Sequence, residues 1–261
     1  MADRVPLSDL LTHPKGFLIC WPIWDASAAE TRIEELGRHG VKAIIFDGPH
    51  IVDTIPVLGK GNTSIVLKAE TEKGVCAAKI RRTDADRTDF EEEARLLGVA
   101  NGIGVGPRLL GWGRWSLLME LIVGPYLSVW IRGLGPADAE TLRRVLRKLA
   151  LQARRMDEAG LDHGELVRLR RHIIVRGLEP VIIDFETAST GRRVANVTTV
   201  IQSLFLNTIA SSVIEGILGL PDREELLGAL RTYRREMSEA SFNALLCVAG
   251  LEKDFISPAD P

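Results

Sequence analysis

The hydrophobic period of this chain shifts from mostly strand-like to mostly helical near residue 125, and that change limits what the chain can fold into. Between residues 51 and 124, outside one helical stretch, apolar residues recur at every second position. "IVDTIPVL", "TSIVLKAE" and "VCAAKIRR" predict three consecutive strands. Gly59 and Gly61 lie in the first turn, and "EKG" at 72–74 makes the second hairpin. An acidic helix, "DADRTDFEEEARLLGVA", follows. "GVGPRLLGWG" and "RWSLLMELIVG" then predict two more strands. After Pro125 the period becomes helical. Leu142, Val145, Leu146, Leu149, Ala153 and Met156 fall on one stripe of a helix over 137–159, which Gly160 ends. A short extended pair, "HIIVRG" and "EPVIIDF", interrupts the helical half, which resumes over about 195–252. A sheet with one helix, then a mostly helical half, predicts an α+β fold with its junction near Glu120–Gly124.

The segment before residue 51 predicts strand, helix, strand. "FLICWPIW" (17–24) reads as a short strand or an extended packing arm. Asp25 caps a helix carrying Ala29, Ile33 and Leu36, Gly40 stops it, and "VKAIIF" is the second strand. At 261 residues the chain is long for one ordinary core, which favours a two-lobed domain or two small ones. A net charge of −2 argues against a general polyanion binder and against a DNA partner. Cys20, Cys76 and Cys247 lie far apart, which suits buried thiols in a reducing compartment rather than a disulfide framework or a zinc site. "MADRVPLSDLLTHPKG" lacks a signal-peptide layout. The most apolar stretch, 197–220, includes Gln202, Asn207 and Glu215 and reads as buried helix rather than a membrane span. A soluble, cytoplasmic protein with no membrane partner is expected. "ISPADP" reads as a loose tail.

Several residues invite a chemical reading, each with a plain alternative. "LGKGNTSIV" (58–66) lies between two strands, not between a strand and a helix, which argues against a Rossmann turn or a Walker loop. It reads as a glycine hairpin. One that folds over phosphates would use Gly59 and Gly61 for close backbone approach, with Val66 pointing onto a base. Period two puts Val75, Ala77 and Lys79 on one strand face, and small Ala77 leaves room for a ring. A lysine among apolar strand residues needs an anionic partner, unless it is a solvated edge lysine. At 100° per residue, Glu93 falls at the inner edge of the acidic helix, while Glu91 and Glu92 point away. Glu93 is therefore the carboxylate best placed to reach Lys79. "LLMELIVG" (117–124) could offer backbone groups around Glu120 to an adenine edge, or be a plain core strand. Asp184, after three β-branched residues, suits a magnesium ligand or a turn cap. "RLRR" (168–171) with Arg143, Arg144, Arg147, Lys148, Arg154 and Arg155 suits an RNA-binding patch or a solvated helix face.

The order of these features resembles the protein-kinase signature set: glycine hairpin, strand lysine, helix glutamate, apolar-Met-Glu hinge, His-Gly-acid loop ("LDHGEL", 161–166), Asp-Phe turn. Over residues 52–190 the chain resembles the atypical, compact protein kinases. It is nearest to the RIO-type kinases and the small kinase of the universal tRNA-modification complex, and also resembles a predicted archaeal serine/threonine kinase group. The resemblance implies a two-lobe kinase-like fold: an N-terminal extension (1–51) packed on an N-lobe (52–122), and a reduced helical C-lobe (123–261). It implies ATP and Mg²⁺ as cofactors. Gly59, Lys60, Gly61, Ser64, Val66 and Ala77 would surround the nucleotide. Lys79 would bind phosphates and pair with Glu93, while Glu120 and Ile122 would offer hinge groups to adenine. Asp184 would hold the metal, and Glu165 would take the base position. The partner implied is a protein substrate or the chain itself.

Three departures from the family pattern bear on activity. Glu165 stands where aspartate is usual, one methylene longer. The asparagine expected five residues later is Arg170. If the loop carries two extra residues, His172 takes that second metal position, although imidazole is a poor magnesium ligand. Glu186 replaces the glycine after Asp184-Phe185. Three functions stay open: an atypical serine/threonine kinase; a nucleotide-binding pseudokinase or slow ATPase switch; and a small-molecule kinase of the aminoglycoside type.

Overall fold

The computed structural model describes residues 3–206 and 208–252; the expected tail at 256–261 lies outside them. The structure is mixed α+β, and its largest sheet is antiparallel. The chain divides into two compact units, Met1–Gly98 with Pro107–Ile122, and Val99–Gly106 with Val123–Pro261.

The first unit is built on strands β1 (Asp3–Pro6), β2 (Val41–Phe46), β3 (His50–Val52), β4 (Ile55–Val57), β5 (Gly59–Lys60), β6 (Ser64–Thr71), β7 (Gly74–Arg81), β8 (Leu109–Trp112) and β9 (Ser116–Glu120). The main sheet runs β1-β2-β6-β7-β9-β8, with β5 added to β6, and β3 and β4 form a separate hairpin. In the β6–β7 hairpin Ser64 pairs with Arg81 and Thr71 with Gly74. The two-residue period then sorts its side chains. Ile65, Leu67, Ala69, Cys76, Ala78 and Ile80 join Ile44, Phe46 and Leu118 in one core. Val66, Lys79 and Leu117 are successive cross-strand partners and share the opposite face, with Ala77 beside them.

The core face is covered by the N-terminal segment. Leu10, Leu18, Ile19 and Leu36 are buried against it. Helix α1 (Ala26–Arg38) starts as expected, with the Asp25 carboxylate accepting from the Ala28 N–H at 2.7 Å. Two buried charges fasten this cover. Arg32 donates to the carbonyls of Ile19 (2.5 Å) and Arg81 (2.6 Å). The Glu35 carboxylate accepts from the Arg114 and Trp115 N–H groups and from the Ser116 hydroxyl. Hydrogen bonds to charged groups contribute about 1.5–3 kcal/mol each.

Three expectations here are corrected. Residues 17–24 form no strand: Pro14–Cys20 is a 3-10 helix, started by Pro14 and capped by the His13 ring, which accepts from the Lys15 N–H. An apolar run buried on several sides carries no period to separate helix from strand. The strand of the N-terminal segment is instead β1, paired with β2. Residues 51–58 are not one strand but the β3–β4 hairpin, turning at Asp53 and Thr54, both with positive φ (45° and 72°). Paired positive φ values are those of tight hairpin turns. The acidic helix begins late, as α2 (Glu91–Gly102), where the Asp89 carboxylate accepts from the Glu91 N–H.

The second unit holds α3 (Leu127–Arg132), α4 (Ala139–Glu158), α5 (Leu169–His172), β10 (Ile173–Arg176), β11 (Glu179–Ile182), α6 (Asn196–Phe205), α7 (Thr208–Leu218), α8 (Arg223–Glu236) and α9 (Glu239–Val248). The stripe expected on α4 is fully buried from Leu142 to Met156, and β10 and β11 pair antiparallel. The apolar stretch 197–220 is not one helix but α6 and α7. Among the described residues no helix is long and apolar enough to cross a membrane.

Candidate functional site

In the first unit, Lys79 and Glu93 meet. Lys79 stands on β7 and Glu93 in the first turn of α2, and their side chains are almost wholly buried, with Nζ 2.7 Å from Oε1. A solvated edge lysine is thereby ruled out. The other Glu93 oxygen accepts from Arg87 at 2.7 Å. Arg87 also lies over the Phe90 ring, 4.6 Å from its centroid. Arg87 escaped the sequence reading because it sits in the irregular segment before α2, where no period points it inward.

Val66 lies directly across from Lys79, and Ala77 is the next residue of β7 on the same face. Gly59 and Gly61 bound the hairpin tip. A Cβ there would approach its nearest neighbour no closer than 3.4 Å, an ordinary contact, and neither glycine has a positive φ. Nothing within the hairpin therefore demands glycine. Ser64 is buried, and its carbonyl accepts from the Gly61 N–H at 2.8 Å. Lys60 stands over the Trp21 ring at 4.5 Å, and Arg82 over the same ring at 4.2 Å. Arg82 also donates to the Gly61 carbonyl at 3.0 Å. Trp21 and Arg82 were missed by the sequence reading; they adjoin the hairpin tip only through tertiary packing. The Glu120 side chain is elsewhere. Its strand partner is Cys76, so it faces away from Lys79, and its carboxylate accepts from the Arg108 N–H at 3.2 Å. Ile122 lies buried beyond the end of β9.

In the second unit, Glu165, His172 and Asp184 come together, with donor atoms all within 4.8 Å of one another. The fold aims each of them. Gly164 has φ +86°, and a Cβ there would lie 2.8 Å from the Thr187 carbonyl oxygen, so only glycine fits between His163 and Glu165. His172 ends α5, and Asp184 follows β11 with φ +71°, a costly conformation for a residue with a side chain. Glu165 Oε2 lies 3.3 Å from His172 Nε2, and Oε1 lies 3.3 Å from Arg168. Arg170, the residue at the five-residue spacing, is exposed on α5 and is no member of this group.

The surrounding loop is braced by buried polar groups: His163 of the His-Gly-acid loop, and Asn196 and Asp157, which the sequence did not single out. His163 Nε2 lies 3.1 Å from the Ile183 carbonyl, and its Nδ1 accepts from the Glu165 N–H at 3.4 Å. One neutral tautomer, protonated at Nε2, satisfies both contacts. Burial, aided by the nearby His172, pushes His163 down to about 4. Asn196 accepts from the His163 N–H and donates to the Leu161 carbonyl. Asp157 accepts from the Asn196 backbone and side chain, the Val197 N–H and the Tyr233 hydroxyl. Asp162 braces the turn. It exchanges backbone hydrogen bonds with Ser189, and its carboxylate lies 3.1 Å from Arg192.

The donor set is two carboxylates and one imidazole. Mg²⁺ takes oxygen ligands, so it fits the carboxylates and not His172. Four residues of the basic set stand beside carboxylates: Arg143 pairs with Glu140, Arg147 with Glu252, Lys148 with Glu179, and Arg154 with Glu158. No protein-family model matches the chain, and no curated protein matches it.

Proposed function

We propose that the chain is a nucleotide-dependent phosphotransferase of the compact, atypical serine/threonine protein-kinase kind. ATP is the donor, and a hydroxyl of a protein, its own or another's, is the acceptor. The observation that carries this reading is the buried Lys79–Glu93 pair on a strand face that it shares with Val66 and Ala77, beside a hairpin whose glycines have no internal steric cause. A cation held by a buried carboxylate is oriented without being neutralised by solvent, which suits contact with phosphate oxygens. Glycines that the hairpin does not need leave its backbone open to close approach. Phosphoryl transfer is mostly positioning and charge stabilisation. Within the second unit, this reading would use Glu165 as the base and Asp184 as a metal ligand.

A second reading, a nucleotide-binding switch with slow turnover, is favoured by one specific observation. The Glu165 carboxylate already faces both Arg168 and His172. A base engaged in this way is poorly disposed to take a hydroxyl proton.

The test is incubation of the purified chain with γ-labelled ATP, with phosphoprotein and free phosphate measured separately, for wild type, Lys79→Met, Glu165→Gln and Asp184→Asn. Transfer that is present in wild type and lost in Lys79→Met and Asp184→Asn is expected. Thermal stabilisation by ATP with no phosphoprotein would favour the switch. Neither stabilisation nor transfer would sink both readings.

A further inference from the structure

His172 is the odd member of its cluster. Its side chain is almost fully buried, yet its Nδ1 has no hydrogen-bond partner among the described residues. A buried polar atom left this way is costly unless something else takes its lone pair. The other ring nitrogen, Nε2, faces Glu165 Oε2 at 3.3 Å, within hydrogen-bond distance. With the proton on Nε2, Nδ1 presents a lone pair toward the Asp184 carboxylate, whose Oδ2 lies 3.9 Å away. Two electron-pair donors that face each other without a proton between them call for a cation. A carboxylate hydrogen-bonded to the far nitrogen of an imidazole is also how metal-binding histidines are held in tautomer and orientation.

We propose that this cluster is a site for a first-row transition dication in preference to Mg²⁺, with His172 Nδ1 and the Asp184 carboxylate as ligands and Glu165 as the group that orients the imidazole. The preference follows from donor type. Imidazole nitrogen binds transition dications well, whereas Mg²⁺ favours oxygen and water. Glu165 then acts through His172 and is a positioning residue for the metal. The site needs no nucleotide, so its test stands apart from that of phosphoryl transfer.

Mn²⁺ is the strictest probe, because it is the weakest binder of the first-row series. The full chain is titrated with Mn²⁺ in the absence of nucleotide, free Mn²⁺ is read by electron paramagnetic resonance, and Mg²⁺ is then added as competitor. One Mn²⁺ per chain is expected, with Mg²⁺ at least about tenfold weaker, the low end of what ligand-shell changes do. Asp184→Asn should lose most Mn²⁺ binding. His172→Asn, which offers an amide oxygen instead of nitrogen, should bring the two affinities toward each other. Glu165→Gln keeps an acceptor oxygen and should bind better than Glu165→Ala. Pulsed measurements on the wild-type Mn²⁺ complex should show coupling to an imidazole nitrogen, which needs no variant to fold. Equal Mn²⁺ and Mg²⁺ affinity, no Mn²⁺ binding, or no nitrogen coupling would each overturn the proposal.

Discussion

Lys79 and Glu93 are individually expensive to bury, and each makes the other tolerable. Glu93→Ala removes the carboxylate that Lys79 and Arg87 share. It should cost about 3–5 kcal/mol in denaturant unfolding. Lys79→Met leaves Glu93 with Arg87 and should cost less; on the proposed function it should also weaken ATP binding at least about tenfold, or about 1.4 kcal/mol, in calorimetric titration. His163 gives a pH signature. An unfolded histidine takes a proton near 6.5, whereas the folded one does so only near 4. Between those values the unfolded state binds more protons, so stability falls as pH drops, by about 3 kcal/mol in all. Melting curves across that range should show the slope in wild type and a flatter one in His163→Asn. The Lys79–Glu93 pair was legible because strand period and helix phase both pointed inward. The Asp157–Asn196–His163 chain was not, because polar residues in a helical half look the same in sequence whether buried or solvated.

Among the elements, α4 and α6 owe their junction to one carboxylate. Asp157 near the end of α4 accepts four hydrogen bonds, three of them from the first two residues of α6. Asp157→Ala leaves those donors buried and should cost about 3 kcal/mol or more. Tyr233→Phe removes one bond and should cost about 1 kcal/mol. Urea titration of the two variants checks the ranking, and equal costs would mean that the network is not what anchors the loop. Most of the strands and the long helix α4 were readable from period alone. What could not be read was where chain geometry replaces periodicity. The Asp53-Thr54 pair turns a run of apolar residues into a hairpin, and Pro14 turns another into a 3-10 helix. Both are short, and both are decided by the neighbours they pack on rather than by a repeating pattern.

For the whole molecule, the N-terminal segment belongs to the sheet it covers. Deleting residues 1–40 removes β1, the Arg32 and Glu35 hydrogen bonds and the buried Leu10, Leu18, Ile19 and Leu36. The shortened chain should lose cooperative unfolding of the first unit, and amide exchange in β6, β7 and β9 should accelerate. Retained protection there would show that the sheet stands without its cover. The sequence reading placed the change of character near Glu120–Gly124, but a change in hydrophobic period marks only one crossing of the chain. The second unit also takes residues 99–106, from within the span that otherwise builds the first. That interleaving bears on how the protein can be made in pieces. A fragment ending at residue 122 would carry Ala100 and Val105, both buried in the intact chain, away from the unit they belong to, and a fragment starting at 123 would lack them. Halves split at residue 122 separate residues 99–106 from the rest of their unit and should fold less well than the intact chain.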